Sequence, residues 1–267
     1  MKTPPSNSKS RVAGLVLAAW GLWLSAGCSD APVLQIRPTN RVVLAEFFTW
    51  MRCGYCPYAA RALDSVAADF PDSMIVIAYH RRVAGDTLSP DYSETRMGVY
   101  YNSGGEPATT FDGGNVVRTS GPEYNYPTFH AMTVAARNVV PGAQLGVSAT
   151  VNDSDGTVTV WATGVSATPT DTFRLFVVLV EDSVHAYLSG APDSVFRHVM
   201  RQMLPGIDGE PVNLAVGDTV VKEYDFRVKP FWNRPMLGAV AFVQDMSTHK
   251  VLQAACLSRI ESERSSR

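Results

Sequence analysis

The 267-residue chain has only four cysteines, Cys28, Cys53, Cys56 and Cys256. That is too few for a disulfide-built scaffold, so each one needs its own explanation. Charge is sparse too: 18% of residues are charged, and 23 cations against 25 acids leave a formal net charge of −2. With no basic face to meet phosphates, no nucleic-acid partner is expected. No apolar run reaches the roughly 20 residues of a membrane-spanning helix. There is no glycine-rich phosphate loop, no serine-nucleophile motif, no repeat and no heptad pattern. Apolar residues are plentiful, at 46%, which supplies a core and excludes wholesale disorder. The length fits one large or two ordinary domains.

The first segment reads as a leader. Lys2, Lys9 and Arg11 precede an apolar run from Val12 to Gly27, the layout of a secretory signal peptide. Leu24-Ser25-Ala26-Gly27-Cys28 resembles the lipobox of bacterial lipoproteins, although Leu24 stands one position further from the cysteine than usual. The resemblance implies cleavage after residue 27 and a lipid on Cys28. Losing residues 1–27 removes three positive charges and no acid. Residues 28–40, with Pro32 and Pro38, read as a lipidated tether. The mature protein is then expected in the cell envelope, anchored by lipid to a membrane, where disulfides persist. Ser29 beside the lipidated cysteine points to the outer membrane, on its periplasmic or its surface face.

Two domains are expected beyond the tether. Over 41–140, strand and helix patterns alternate as in α/β architectures. Val42–Phe48 and Met74–Tyr79 are apolar strand-length runs, and Ala59, Leu63, Val66, Ala67 and Phe70 recur at helical spacing. Helices are also expected near 90–100 and 125–139, with a strand at Ala108–Phe111. Over 141–262 the period changes to two, with strands near 172–181, 219–228, 235–244 and 249–258. That pattern predicts an antiparallel immunoglobulin-like β-sandwich.

Cys53-Gly54-Tyr55-Cys56 stands where a buried strand meets a helix. Two intervening residues let the sulfurs form a disulfide. The free N–H groups and the dipole of a helix start favour a thiolate on the first cysteine. Cys53 would attack and Cys56 would resolve. A structural zinc site needs four ligands, and with no second cysteine pair no metal is expected.

At this point residues 41–140 resemble the thioredoxin superfamily, through the strand-CxxC-helix junction and Glu106-Pro107-Ala108-Thr109-Thr110-Phe111. The resemblance implies that Pro107 is cis and faces the cysteine pair, with the Glu106 backbone open to a substrate strand and Tyr55 on the rim. The whole mature chain resembles lipoproteins related to the 28-kilodalton outer membrane protein. That likeness rests on Ala78-Tyr79-His80, on His198 to Gly206, and on Ala241-Phe242-Val243-Gln244-Asp245. It implies a thioredoxin-like domain joined to a C-terminal β-domain.

Thioredoxins place a buried acid six residues before the first cysteine, whereas here position 47 is Phe and the nearest acid is Glu46. Glu46 is a proton-relay candidate or a strand carboxylate paired with a cation. His80, at the end of the second strand, is the other relay candidate or a hydrogen-bonded structural histidine. Cys256 shares strand parity with Leu252 and Ala254 and is expected to be a buried, inert thiol, the alternative being a resolving or partner-pairing role. His198 and Arg201 are expected on a helical turn as structural contacts. Asp153 and Asp155 fit a hairpin turn better than a calcium site. Trp50 and Met51 are expected to join Tyr55 on an apolar rim where a peptide could dock, with the core an equal alternative for Trp50.

The expected activity is thiol–disulfide exchange on extracytoplasmic proteins or with a redox partner, without a cofactor. The alternative is a non-catalytic lipoprotein in which the disulfide is a staple and the β-sandwich a binding scaffold.

Overall fold

The computed structural model describes residues 41–262, except 84, 102–103 and 167–169. The leader of 1–27, Cys28 and the tether of 28–40 lie outside the described residues.

The chain opens with β1 (Val43–Thr49), every residue of which is buried. A tight loop carries Cys53 into α1 (Cys56–Asp69), with Pro57 in its first turn, where a missing N–H costs nothing. After Pro71 the chain enters β2 (Met74–His80), again buried throughout. A short α2 (Asp91–Thr95) runs on into a π-helical turn, Arg96–Tyr101. Then come β3 (Ala108–Phe111) and α3 (Asn125–Arg137). The remainder is β: β4 (Ala143–Asn152), β5 (Asp155–Gly164), β6 (Phe173–Glu181), β7 (Val184–His185) and β8 (Val195–Phe196). It ends with β9 (Val199–Leu204), β10 (Glu210–Pro211), β11 (Thr219–Arg227), β12 (Leu237–Asp245), β13 (Val251–Leu257) and β14 (Glu261–Ser262).

The expectation of an α/β thioredoxin-like domain followed by a separate immunoglobulin-like sandwich is corrected here. The described chain is predominantly β, with three short α-helices. Its main sheet runs β13-β12-β6-β9-β2-β1-β3, with β10 added to β6, and so draws strands from both halves of the chain. The link is the parallel contact of Ala78 with Val199, where the Ala78 N–H donates to the His198 carbonyl at 2.8 Å. A second sheet, β11-β5-β4-β14, packs over β6 and β12. Periodicity identifies strands, but it carries no information about which distant strand supplies the partner.

His198 and Arg201 are corrected as well. His198 has φ +56, and Arg201 lies within β9 rather than on a helical turn. The Asn152–Asp155 stretch does turn between β4 and β5, with Asp153 at φ +53.

Strand parity sorts the core. Val43, Ala45 and Phe47 face α1 and α3 together with both cysteines of the pair. Leu44 and Phe48 face the other way, into a cluster shared with Phe176, Val240 and Phe242. Across that shared cluster lies a fully buried ion pair. Arg96 donates from Nε to Glu46 Oε1 at 2.7 Å and from Nη2 to Glu46 Oε2 at 3.0 Å. Nη2 also reaches Gln244 Oε1 at 2.9 Å. The guanidinium stacks over the rings of Phe176 and Phe242, at 4.9 and 5.2 Å. A second tie is Arg41, which pairs with Asp112 at 2.7 Å and donates to the Val251 carbonyl at 2.7 Å.

Removing one partner of a buried pair strands the other charge, at a cost of about 3–5 kcal/mol. Arg96→Met should therefore lower unfolding free energy by about that amount in a denaturant titration. Glu46→Leu combined with Arg96→Met should recover about half or more of the loss. A single variant within about 0.5 kcal/mol of the parent would contradict this account.

Candidate functional site

The loop between β1 and α1 is short, and the Cys53 N–H donates to the Trp50 carbonyl at 3.1 Å. That places Cys53 one turn ahead of the helix, where it forms a disulfide with Cys56 (S–S 2.08 Å, Cα–Cα 5.4 Å). The Cys56 N–H, one of the orphan donors of the α1 start, points at Cys53 Sγ at 3.0 Å. No acid occupies the first turn of α1 to oppose a thiolate there. The geometry can thus hold negative charge on Cys53 once the disulfide opens. Both cysteines are buried, Cys53 at 5% and Cys56 at 3% exposure.

Two cavities flank this junction. On the outer side, a cavity of about 440 Å³ is lined by Tyr55, Glu106, Pro107, Arg118 and Glu123. Tyr55 is 67% exposed, and the Glu106–Pro107 peptide bond is cis. The Glu106 carboxylate is occupied, accepting from Arg81 Nη1 at 2.6 Å. A second cavity, of about 270 Å³, is lined by Cys56, Pro57, Trp50, His80 and Phe196, with the more exposed Arg61 and Arg197 also on its lining.

The two relay candidates separate. Glu46 sits on the β1 face away from the cysteines, held by Arg96 as described. His80 lines the cavity that Cys56 lines, and its Nδ1 lies 2.8 Å from Asp86 Oδ2. Its ring meets Phe196 edge-on at 5.2 Å. His198 Nε2 reaches Asp64 of α1 at 3.0 Å, a contact between α1 and the start of β9.

Two rim and core expectations change. Met51 is buried at 1% among Leu88, Val184 and Val199 rather than standing on the rim, while Trp50 is half-buried. Cys256 is an exposed free thiol, not a core residue. It pairs with Val240 near the end of the outermost strand, β13, and the register shift beside Gln253 skips Leu252 and puts that residue on the face opposite Ala254. Burial and the nearby Asp72 still push its thiol pKa up. Sequence reasoning missed Asp86, Asp64 and Arg96. Each is a lone polar residue with no motif around it, and only the fold brings it to its partner.

Residues 100–257, more than half of the chain, match the family described as Outer membrane protein Omp28. A comparison with curated proteins finds no match. Among solved structures, HBP35 of Porphyromonas gingivalis is similar with a TM-score of 0.69 at 17% identity, over 85% of this chain and 79% of that one. A protein of Agrobacterium tumefaciens is similar with a TM-score of 0.51 at 16% identity, over 82% of this chain and 95% of that one. A domain of the outer membrane lipoprotein Omp28 from Porphyromonas gingivalis aligns over 47% of this chain and 93% of its own, at 19% identity and a TM-score of 0.34. At these identities the structural likenesses speak of fold alone.

Alkylation of the oxidised, folded chain should label Cys256 among the described cysteines and leave Cys53 and Cys56 untouched. After reduction, Cys53 should be labelled before Cys56. Peptide mass mapping reads the order, and faster labelling of Cys56 would contradict the arrangement.

Proposed function

The chain belongs to the Outer membrane protein Omp28 family, and from that premise we propose that its Cys53–Cys56 pair exchanges disulfides with proteins of the cell envelope. The family places the protein in the envelope, at the outer membrane. The observation that carries the exchange reading is the helix-start N–H of Cys56 aimed at Cys53 Sγ at 3.0 Å. A donor in that position lowers the cost of a thiolate on the attacking and leaving sulfur alike. In this reading Cys53 attacks a substrate disulfide, Cys56 resolves the mixed disulfide, and Pro107, the Glu106 backbone and Tyr55 shape the outer groove. The partners are extracytoplasmic proteins carrying thiols or disulfides, met from a membrane surface to which a lipid on Cys28 would tether the chain.

A second reading is favoured by the 5% and 3% exposures of the two cysteines. In it the disulfide is a staple, and the β-rich part serves as a binding scaffold for another envelope component. The readings differ in whether the bond turns over.

Cys56→Ser decides between them, with the reduced chain mixed with glutathione disulfide. Exchange predicts a stable glutathione adduct on Cys53 by mass spectrometry, whereas the parent chain passes on to the internal disulfide. Absence of an adduct on Cys53 in the folded variant would leave the staple.

A further inference from the structure

Resting on the exchange reading, we propose that His80 and Asp86 form the proton relay of the resolving step, taking the thiol proton of Cys56 across the cavity that His80 and Cys56 both line. Resolution needs Cys56 as a thiolate, and at 3% exposure the thiol has little direct contact with solvent that could take its proton. A base on the wall of the cavity that Cys56 lines can take it instead. His80 and Cys56 line one cavity of about 270 Å³, and space of that size admits water between them.

The dyad is built for the task. Asp86 Oδ2 accepts from the Met51 N–H at 2.8 Å and lies 2.8 Å from His80 Nδ1. Its Oδ1 accepts from the Leu88 N–H at 2.8 Å. A carboxylate held by backbone donors on both oxygens acts as the acceptor, so Nδ1 donates and the Nε2 lone pair is left to take a proton. Phe196, edge-on to the imidazole, fixes its plane. Asp86 is thus the positioning residue, and His80 the proton acceptor.

The other ionisable groups around the cavity are engaged at its mouth. Arg61 lies 3.5 Å from Asp193, and Arg197 and His198 lie 3.4 and 3.0 Å from Asp64. Among the described residues lining this cavity, that leaves His80 as the imidazole paired in the interior.

The step balances as follows. In the mixed disulfide, Cys53 is bonded to a sulfur of the substrate protein. The Cys56 proton passes through water to His80 Nε2, and the imidazolium is held by the Asp86 carboxylate. The Cys56 thiolate attacks Cys53 Sγ, forming the Cys53–Cys56 bond and breaking the bond to the substrate. The substrate leaves as a thiolate, reduced by the two electrons that the cysteine pair has lost.

The test uses the full chain with Cys28→Ser and Cys256→Ser, reduced and mixed with an aromatic disulfide that releases a coloured nitrobenzoate thiolate. The first release reports attack by Cys53, and the second reports resolution by Cys56. His80→Asn keeps an N–H toward Asp86 while removing the base. At pH 7 it should leave the first release unchanged and slow the second at least about tenfold. The deficit should vanish near pH 9.5, where a thiol ionises unaided. Asp86→Asn should slow the second release in the same direction, and His198→Asn should leave both releases unchanged. An unchanged second release in His80→Asn and Asp86→Asn overturns the relay, as does an equal loss of both releases at every pH. Absence of the first release from the parent chain overturns the exchange reading itself, and the relay with it.

Discussion

A guanidinium with no exposed surface dictates how the rest of this chain is arranged. Arg96 has to be neutralised where it lies, because an uncompensated charge in an apolar interior is prohibitively costly. Glu46 of β1 supplies the charge and Gln244 of β12 completes the contact. Glu46 and Arg96 belong to the first half of the chain and Gln244 to the second, so the full set of contacts is made only where the two halves share the main sheet. Glu46 on this face also fixes the parity of β1. Leu44 and Phe48 then face the shared core, and Val43, Ala45 and Phe47 face α1. A slip of one residue would turn the carboxylate toward the cysteines and bury an apolar side chain against Arg96.

The site inherits its geometry from that parity. With the odd residues of β1 packed under α1, the loop of residues 50–55 must climb from the strand end to the helix start, and Cys53 arrives beside an unfilled backbone donor. One cavity lies by Tyr55 and Pro107, and the other, lined in part by Phe196 of β8, lies by Cys56 and His80. Attack and resolution, in the proposed exchange, are thereby given separate surroundings, one beside Tyr55 and Pro107 and one beside His80.

Much of the local structure is readable from residue pattern alone. The apolar runs mark β1 and β2, helical spacing from Ala59 to Phe70 marks α1, and the period-two stretch from Leu145 to Ala162 marks the β4–β5 hairpin. What the pattern does not carry is pairing at long range. Ala78 meeting Val199 joins the two halves into one sheet, and nothing near either residue announces it. The same limit explains Glu46. A lone acid in an apolar strand signals a partner, but whether that partner is a cation or a reacting thiol depends on Arg96, fifty residues away. His80 drew notice by its position at a strand end, whereas Asp86, which orients it, sits in a loop with no periodicity to read. Cys256 keeps the parity of the buried Ala254 yet is exposed, because it lies near the end of an outer strand, and parity alone does not say where along a strand the core stops.

The measurement that reaches the central claim most directly is the reduction potential of the Cys53–Cys56 pair. The chain would be equilibrated in glutathione buffers and its thiols trapped with a mass-tagged alkylator. A working exchange site predicts a potential between about −120 and −270 mV, the span of exchange catalysts. A value below about −300 mV, or a bond that opens only in denaturant, would contradict it and leave the disulfide as a staple.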